Sequence, residues 1–352
     1  MTLVACIGGG QLGRMLGLAG LPLGLSFRFL DPSPDACARE VGELLVAPYD
    51  DRDALDRLAV GAAVVTYEFE NVPVEAAAGV KAVPGPRALE QGQDRLSEKE
   101  LFRSLGIPTA RFGRLEETGL PALVKTRRLG YDGKGQRRVD RDEPLEDGEL
   151  AEELVAFDRE LSIVGVRARD GETRFWPVGE NVHREGILRV TRAPARDAPQ
   201  VEAERICTRL LDALGYVGVI AVELFEAGGR LLANEFAPRV HNTAHWTIDG
   251  AETSQFENHL RAILGLPLGS TALRAPSVMV NVIGGIPPVE ELLELPGAHL
   301  HLYGKAPRPG RKIGHVTLVD PDEETVARAV ALASEEGGEA RTTPRPSRVP
   351  PS

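Results

Sequence analysis

Two glutamates and an asparagine carry the sharpest chemical signal in this chain. Glu223 follows the apolar run Val219-Ile220-Ala221-Val222, and Asn234-Glu235 follows Leu231-Leu232-Ala233. The intervening Ala227-Gly228-Gly229-Arg230 predicts a β-hairpin. A three-residue loop sets Glu223 opposite Glu235, whereas a two-residue loop sets it opposite Asn234. Opposed residues bring their Cβ atoms about 4.5–5.5 Å apart, where two carboxylates repel. A cation resolves that repulsion, and carboxylate plus amide oxygens suit Mg2+, usually shared with substrate phosphates. The alternative has both acids pointing to solvent with no metal.

A second cluster surrounds a glycine-rich loop. Lys125 ends the apolar run from Ala122, and Thr126-Arg127-Arg128-Leu129-Gly130-Tyr131-Asp132-Gly133-Lys134-Gly135-Gln136 follows. Its glycines and the cations Lys125, Arg127, Arg128 and Lys134 suit closure over phosphates. It is not the Walker pattern, since no Gly-Lys-Ser/Thr follows. The competing reading is a surface hairpin with charged flanks.

Smaller signals surround these two. Gly8-Gly9-Gly10-Gln11-Leu12-Gly13 lies between a strand and a helix, whose N-terminus favours an anion. Asp31, after the second apolar run, stands where a nicotinamide ribose wants an acid. A tight packing turn accounts for the glycines equally well. Glu68 and Glu70 follow a third apolar run and share a face if the strand continues. Arg239, His241, Asn242, Thr243 and His245 follow Glu235 closely, so a reacting anion could be held there. An ordinary polar loop, with His245 and Trp246 as packing groups, is the alternative. Tyr303-Gly304-Lys305 and Arg308-Pro309-Gly310-Arg311-Lys312 form a late basic cluster.

The elements that must position these groups are legible in outline. Leu3–Ile7, Leu25–Leu30 and Ala63–Thr66 read as strands alternating with helices, which implies a parallel sheet covered on both faces. Pro84-Gly85-Pro86 reads as a linker, and Gln93–Leu105 as a helix. Ala122–Lys125, Glu160–Arg167 and Arg174–Val178 read as strands. Val201–Leu214 is an amphipathic helix with Ile206, Leu210, Leu211 and Leu214 on one stripe. Thr253–Leu264 and Glu323–Glu336 read as helices. Val278–Ile283, His299–Tyr303 and His315–Val319 read as later strands.

Composition narrows the function classes. The 352 residues carry a net charge of −11, 42% hydrophobic and 26% charged residues. That is soluble-protein usage. An acidic chain lacks the basic footprint of a duplex binder, which argues against nucleic acid as a partner. Cys6, Cys37 and Cys207 are scattered, giving neither a disulfide framework nor a zinc signature. No secretory signal and no apolar run of membrane-spanning length is visible, so a cytoplasmic location is expected.

Taken together, the motifs resemble the ATP-grasp superfamily, and within it the 5-(carboxyamino)imidazole ribonucleotide synthases. The matching stretches include Gly8–Met15, Asp94–Lys99, Gly130–Gln136, Asn181–Leu188, Gly215–Gly218, Asn234–Trp246, Ser254–Glu257 and Arg308–His315. The resemblance implies an α/β and α+β chain in which a parallel-sheet, pre-ATP-grasp domain (1–86) precedes two lobes. The small lobe (87–158) carries the glycine-rich loop, and the large lobe (159–340) carries the Mg2+ site. A tail rich in Pro and Arg (341–352) is expected to be disordered.

The implied reaction joins bicarbonate to 5-aminoimidazole ribonucleotide at the expense of ATP. By resemblance, Arg95 and Lys125 contact the nucleotide and Gly130, Tyr131, Asp132, Gly133, Lys134, Gly135 and Gln136 close over its phosphates. Glu152, Glu153, Leu154 and Val155 form the hinge facing adenine, Glu160 holds the ribose, and His183 belongs to the nucleotide site. Glu223 and Glu235 hold Mg2+, with Asn234 beside them. Arg239, His241 and Asn242 hold bicarbonate or its phosphorylated form, while Tyr131 and Asp132 gate and orient the amine. Lys305 and Arg311 meet the ribonucleotide phosphate or the carboxylating intermediate. Gly10, Gln11, Leu12 and Glu68 hold the ribonucleotide. The resemblance also implies a homodimer. Its rivals are another ATP-grasp ligase, such as a formate-dependent glycinamide ribonucleotide transformylase, a nicotinamide-dependent dehydrogenase and a non-catalytic nucleotide-binding regulator.

Overall fold

The computed structural model describes residues 1–130 and 135–334. Three sheets organise it. The first runs β1 (Thr2–Ile7), β2 (Leu25–Asp31), β3 (Glu43–Val46) and β4 (Val64–Tyr67), in the order β3-β2-β1-β4 and parallel throughout. Helices α1 (Gln11–Gly20) and α2 (Arg52–Ala59) connect its strands. Val4 and Cys6 pack with α1, while Ala5 and Ile7 pack toward α2 and the following α3 (Val74–Gly79). Strand β3 escapes sequence reading because it is short and half exposed, so Ala63–Thr66 corresponds to the fourth strand and not the third. Pro84-Gly85-Pro86 is no free linker either: Pro86 opens α4 (Pro86–Gly92), which leads into α5 (Arg95–Ser104). Proline suits a first helical turn because its missing N–H has no partner there anyway.

The second sheet contains β5 (Phe112–Gly113), β6 (Ala122–Thr126), β7 (Gln136–Val139) and β8 (Glu149–Glu153), ordered β5-β8-β6-β7 and antiparallel. The short α6 (Leu115–Thr118) covers it. Gln136 is therefore the first residue of β7, paired with Lys125, and not part of the loop. Only the β6 strand was legible beforehand, because β7 and β8 are thick with Arg and Glu.

The third sheet is antiparallel and the largest. It includes β9 (Arg159–Arg167), β10 (Thr173–Phe175), β11 (Gly179–Arg184) and β12 (Ile187–Ala193), then α7 (Gln200–Leu214). The acidic hairpin follows as β13 (Gly218–Ala227) and β14 (Arg230–Ala237), then α8 (Thr247–Gly250) and α9 (Gln255–Leu264). Last come β15 (Ser277–Gly284), α10 (Val289–Leu293), β16 (Ala298–Leu302), β17 (Arg308–Val319) and α11 (Glu323–Ala333). The order is β14-β13-β9-β11-β12-β15-β17-β16, with β10 on the side of β9. The leucine stripe of α7 packs on β9 and β13 beside Phe102 of α5. Of the late basic cluster, Tyr303-Gly304-Lys305 lies in the coil before β17, and Arg308–Lys312 forms the irregular start of that strand, where Lys312 pairs with Ile283 and Arg308 with Gly284.

The parallel sheet and the large sheet share one apolar core. Met15 and Leu16 of α1 cluster with Phe256 and Leu260 of α9 and with Trp246. His259 pins the junction: its Nδ1 accepts the Val219 N–H at 3.1 Å, and its Nε2 lies 3.1 Å from Thr66 Oγ1. Among the described residues no helix is long and apolar enough to cross a membrane.

Candidate active site

The acidic hairpin has the shorter loop and yet the closer pairing of acids. Gly228 and Gly229 both take positive φ, 54° and 72°, as a two-residue type I′ turn requires. Ala227 pairs with Arg230 and Leu224 with Ala233, but Glu223 pairs with Glu235. Asn234 is the extra residue of a β-bulge, a device that re-aims side chains. Its Oδ1 is buried and has no hydrogen-bond partner. Burial, then the Glu235 charge, pushes the Glu223 carboxyl up to about 7. Burial also disfavours charge on Glu235, but Arg95 and Lys125 outweigh it and hold that carboxyl low. Arg95 Nη1 lies 3.1 Å from Glu235 Oε2.

That donor set fits a hard divalent cation. It offers two carboxylates in register, one of them reluctant to ionise without a positive neighbour, and an amide oxygen lacking a donor. Among the described residues no three His, Cys, Asp or Glu side chains form a complete metal cage. The remaining ligands would have to come from substrate and water.

The residues expected to meet a nucleotide are built on β6 and β8. Lys125 is buried, and its Nζ lies 2.9 Å from Glu152 Oε2. Burial opposes the charge of Glu152, but Lys99 and Lys125 bring its carboxyl down to about 2. The Glu152 side chain therefore faces two lysines. Glu153 pairs with Arg111 at 3.0 Å, while Leu154 is exposed and, with Val155, leaves β8 as coil. Glu160 lies against the His183 ring, which burial would discharge but Glu160 and Glu223 keep basic. Tyr131, Asp132, Gly133 and Lys134 lie outside the described residues. At the loop's edges, Gly130 O is 3.4 Å from Arg95 Nη2, and Gly135 takes φ +73° with its oxygen accepting Thr126 N–H at 2.7 Å. Arg127 and Arg128 both clamp Asp94, the N-cap of α5, at 2.7 and 3.2 Å.

The polar loop after β14 meets both sides. Arg239 Nη2 is 2.6 Å from Glu70 Oε2, which brings the two arms together. His241 Nε2 lies 3.7 Å from Glu223 Oε1, and burial holds its ring neutral. Gln255 clamps the His241 backbone, accepting its N–H at 2.8 Å and donating to its oxygen at 2.6 Å. The Asn242 amide is committed to Asn281, at 3.0 and 2.7 Å, so its side chain anchors the loop. His245 and Trp246 are buried packing groups.

A third arm joins the N-terminal turn to the chain before β17. Gly10 N–H donates to Glu68 Oε1 at 2.9 Å, and Lys305 Nζ to Gln11 Oε1 at 2.5 Å. Glu68 and Glu70 lie past the end of β4, so strand alternation does not govern them. Leu12 is buried in the core and offers only backbone. Arg311 Nη1 donates to Ala306 O at 3.1 Å and so braces the segment before β17. Asp31 accepts from Gly9 N–H, Ser33 N–H and Tyr49 OH, at 2.8, 2.8 and 3.0 Å, and is spent on the loop. The nicotinamide reading loses its ribose acid thereby. The sequence places Lys99 and Gln255 in the Asp94–Lys99 and Ser254–Glu257 motifs without a role for either, and Asn281, in an apolar strand, carries no motif.

Comparison with known proteins agrees with this fold. Residues 1–93 match a ribonucleotide synthetase preATP-grasp domain, 101–256 an ATP-grasp domain, and 277–329 a phosphoribosylaminoimidazole carboxylase C-terminal domain. Fold and site thus define an ATP-grasp ligase. A Pseudomonas aeruginosa N5-carboxyaminoimidazole ribonucleotide synthase is 49% identical, over 93% of this chain and 97% of its own. The crystal structure of the Thermus thermophilus synthetase of that name superposes with a TM-score of 0.90 at 54% identity, covering 94% of this chain and 99% of that one. The Aspergillus clavatus enzyme, solved with ADP and 5-aminoimidazole ribonucleotide, superposes with a TM-score of 0.84 at 31% identity, over 93% and 96% of the two chains. The chain belongs to the N5-carboxyaminoimidazole ribonucleotide synthase family.

Proposed function

We propose that this chain carboxylates 5-aminoimidazole ribonucleotide with bicarbonate, converting ATP to ADP and phosphate, as a step of purine biosynthesis. The observation that carries the chemistry is the in-register Glu223–Glu235 pair beside the unpartnered Asn234 Oδ1. Glu223, Glu235 and Asn234 would hold Mg2+, which when bound neutralises charge on the phosphates being transferred. Arg95 and Lys125 bind the nucleotide, and the 130–135 loop, with Gln136 at its end, covers its phosphates. Residues 152–155 flank the base, and Glu160 and His183 the ribose.

The chemistry then needs no enzyme nucleophile. A bicarbonate oxygen attacks the γ-phosphorus, the bond to ADP breaks, and carboxyphosphate results. Arg239 and the His241–Asn242 backbone hold these anions. Carboxyphosphate releases phosphate and CO2, and the ribonucleotide amine captures CO2 at high effective concentration, losing a proton. Glu68, the Gly10–Leu12 turn, Lys305 and Arg311 hold the ribonucleotide, and Tyr131 and Asp132 orient its amine. Enclosure keeps water from the unstable intermediate.

We divide the chain into a preATP-grasp domain (1–86), a small lobe (87–158) and a large lobe (159–340). Three buried free cysteines suit a reducing cytoplasm. The family resemblance supports a homodimer, and light scattering on the purified chain tests it. The test of function is phosphate release from MgATP and bicarbonate with and without the ribonucleotide. Strong dependence on the ribonucleotide, lost in Glu235→Gln, is expected. Release of phosphate at equal rates in both conditions would refute the acceptor.

A further inference from the structure

Helix α5 grips three consecutive residues of β14 at the bulge. Lys99 Nζ donates to Asn234 O at 2.7 Å, Arg95 reaches the Glu235 carboxylate, and Glu98 Oε1 accepts the Phe236 N–H at 2.6 Å. Lys99 does more than the other two. Its ammonium is 1% exposed and also lies 3.1 Å from Thr109 Oγ1 and 3.3 Å from Glu152 Oε2. Thr109 in turn donates to Ala233 O at 2.7 Å, on the residue before the bulge. Glu152 Oε2 is the same oxygen that Lys125 meets.

We infer that Lys99 is a positioning residue for nucleotide binding, joining Lys125 through Glu152 to the bulge that carries Asn234 and Glu235. This rests on the reading of Lys125 and the two acids given above. The physical reasoning is a division of one carboxylate between two ammoniums. With Lys99 present, Glu152 is shared and Lys125 keeps donors for phosphate. Without it, Glu152 belongs to Lys125 alone, and Asn234 O loses its charged donor, so the bulge is freed to shift. Residues that hold ligating groups in place typically change affinity by about 10–100-fold when removed.

The test is Lys99→Met in the full chain, with initial rates measured against MgATP, free Mg2+ and ribonucleotide. The expected result is a KM for MgATP raised about tenfold, and a higher Mg2+ requirement, while the KM for ribonucleotide stays within about twofold. Adding Glu152→Gln to Lys99→Met should recover part of the loss, because Lys125 is then released from its partner. A merely structural role lowers the melting temperature and active fraction without moving the KM for MgATP, and that result overturns the inference. Should Lys99→Met not fold, Thr109→Val removes one anchor only; a KM for MgATP raised about threefold supports the inference, and an unchanged one overturns it. A wild type with no ribonucleotide-dependent phosphate release sinks the functional reading itself, which the variants do not address.

Discussion

Glu223 faces Glu235 across a hairpin whose two-residue turn, by itself, would have set Glu223 against Asn234. The bulge at Asn234 adds the missing residue and brings two like charges together. An arrangement that repels itself in the free protein is what the proposed cation site requires.

The first prediction follows from that repulsion. Glu223→Gln should stabilise the ligand-free protein at pH 8 by up to about 1 kcal/mol, the usual size of a cross-strand pair effect. The same change should lower ribonucleotide-dependent phosphate release about 100-fold. Thermal melts and initial rates together check it. A variant that melts lower, or one with undiminished rate, would contradict the metal assignment.

Asn234 gives a complementary test. Its Oδ1 has no partner to lose, so Asn234→Ala should leave the melting temperature of the free protein within about 2 °C of wild type. The rise in melting temperature produced by MgADP should shrink clearly, since the ligated state loses an oxygen donor. Calorimetric titration with MgADP measures the same loss directly. Unchanged affinity would remove Asn234 from the site.

The N-terminal turn predicts an effect on the other substrate. A Cβ on Gly10 would come within 2.8 Å of Glu68 Oε1, which must then move off the Gly10 N–H it accepts. Gly10→Ala should raise the KM for ribonucleotide at least about tenfold and leave that for MgATP near wild type. The reverse pattern in steady-state kinetics would place the turn with the nucleotide instead.

His259 predicts a pH dependence of stability. Burial lowers its pKa to about 4 from an ordinary 6.5, because its ring is held neutral between Val219 and Thr66. The unfolded chain therefore takes up a proton below pH 6.5 that the folded chain refuses until pH 4. Stability is whole above that window and falls through it by up to about 1.4 kcal/mol per pH unit. Denaturant melts of wild type and His259→Gln between pH 7 and 4.5 check the slope. The variant should have lower stability at pH 7 but a shallower fall, by about one proton; parallel slopes would disprove it.

Much of the site was legible because its chemistry is local in sequence. The hairpin, the glycine-rich loop and the donors after Glu235 are each a short run whose residue types suggest a use. The motif order from Gly8 to His315 determined the family, and alternating strands and helices determined the parallel first sheet. What the sequence left open was register and partnership. Both loop lengths were admissible, and a bulge rather than the longer loop sets the acids face to face. Arg127 and Arg128, legible as phosphate cations, are turned onto Asp94, and Glu152 is turned onto two lysines. Lys99 closes the Asp94–Lys99 motif, yet its role was not legible, because its partners lie 10, 53 and 135 positions away. Residue type and local spacing follow from the chain alone. Which buried charges neutralise one another depends on long-range packing, since a buried charge needs a partner wherever the fold supplies one.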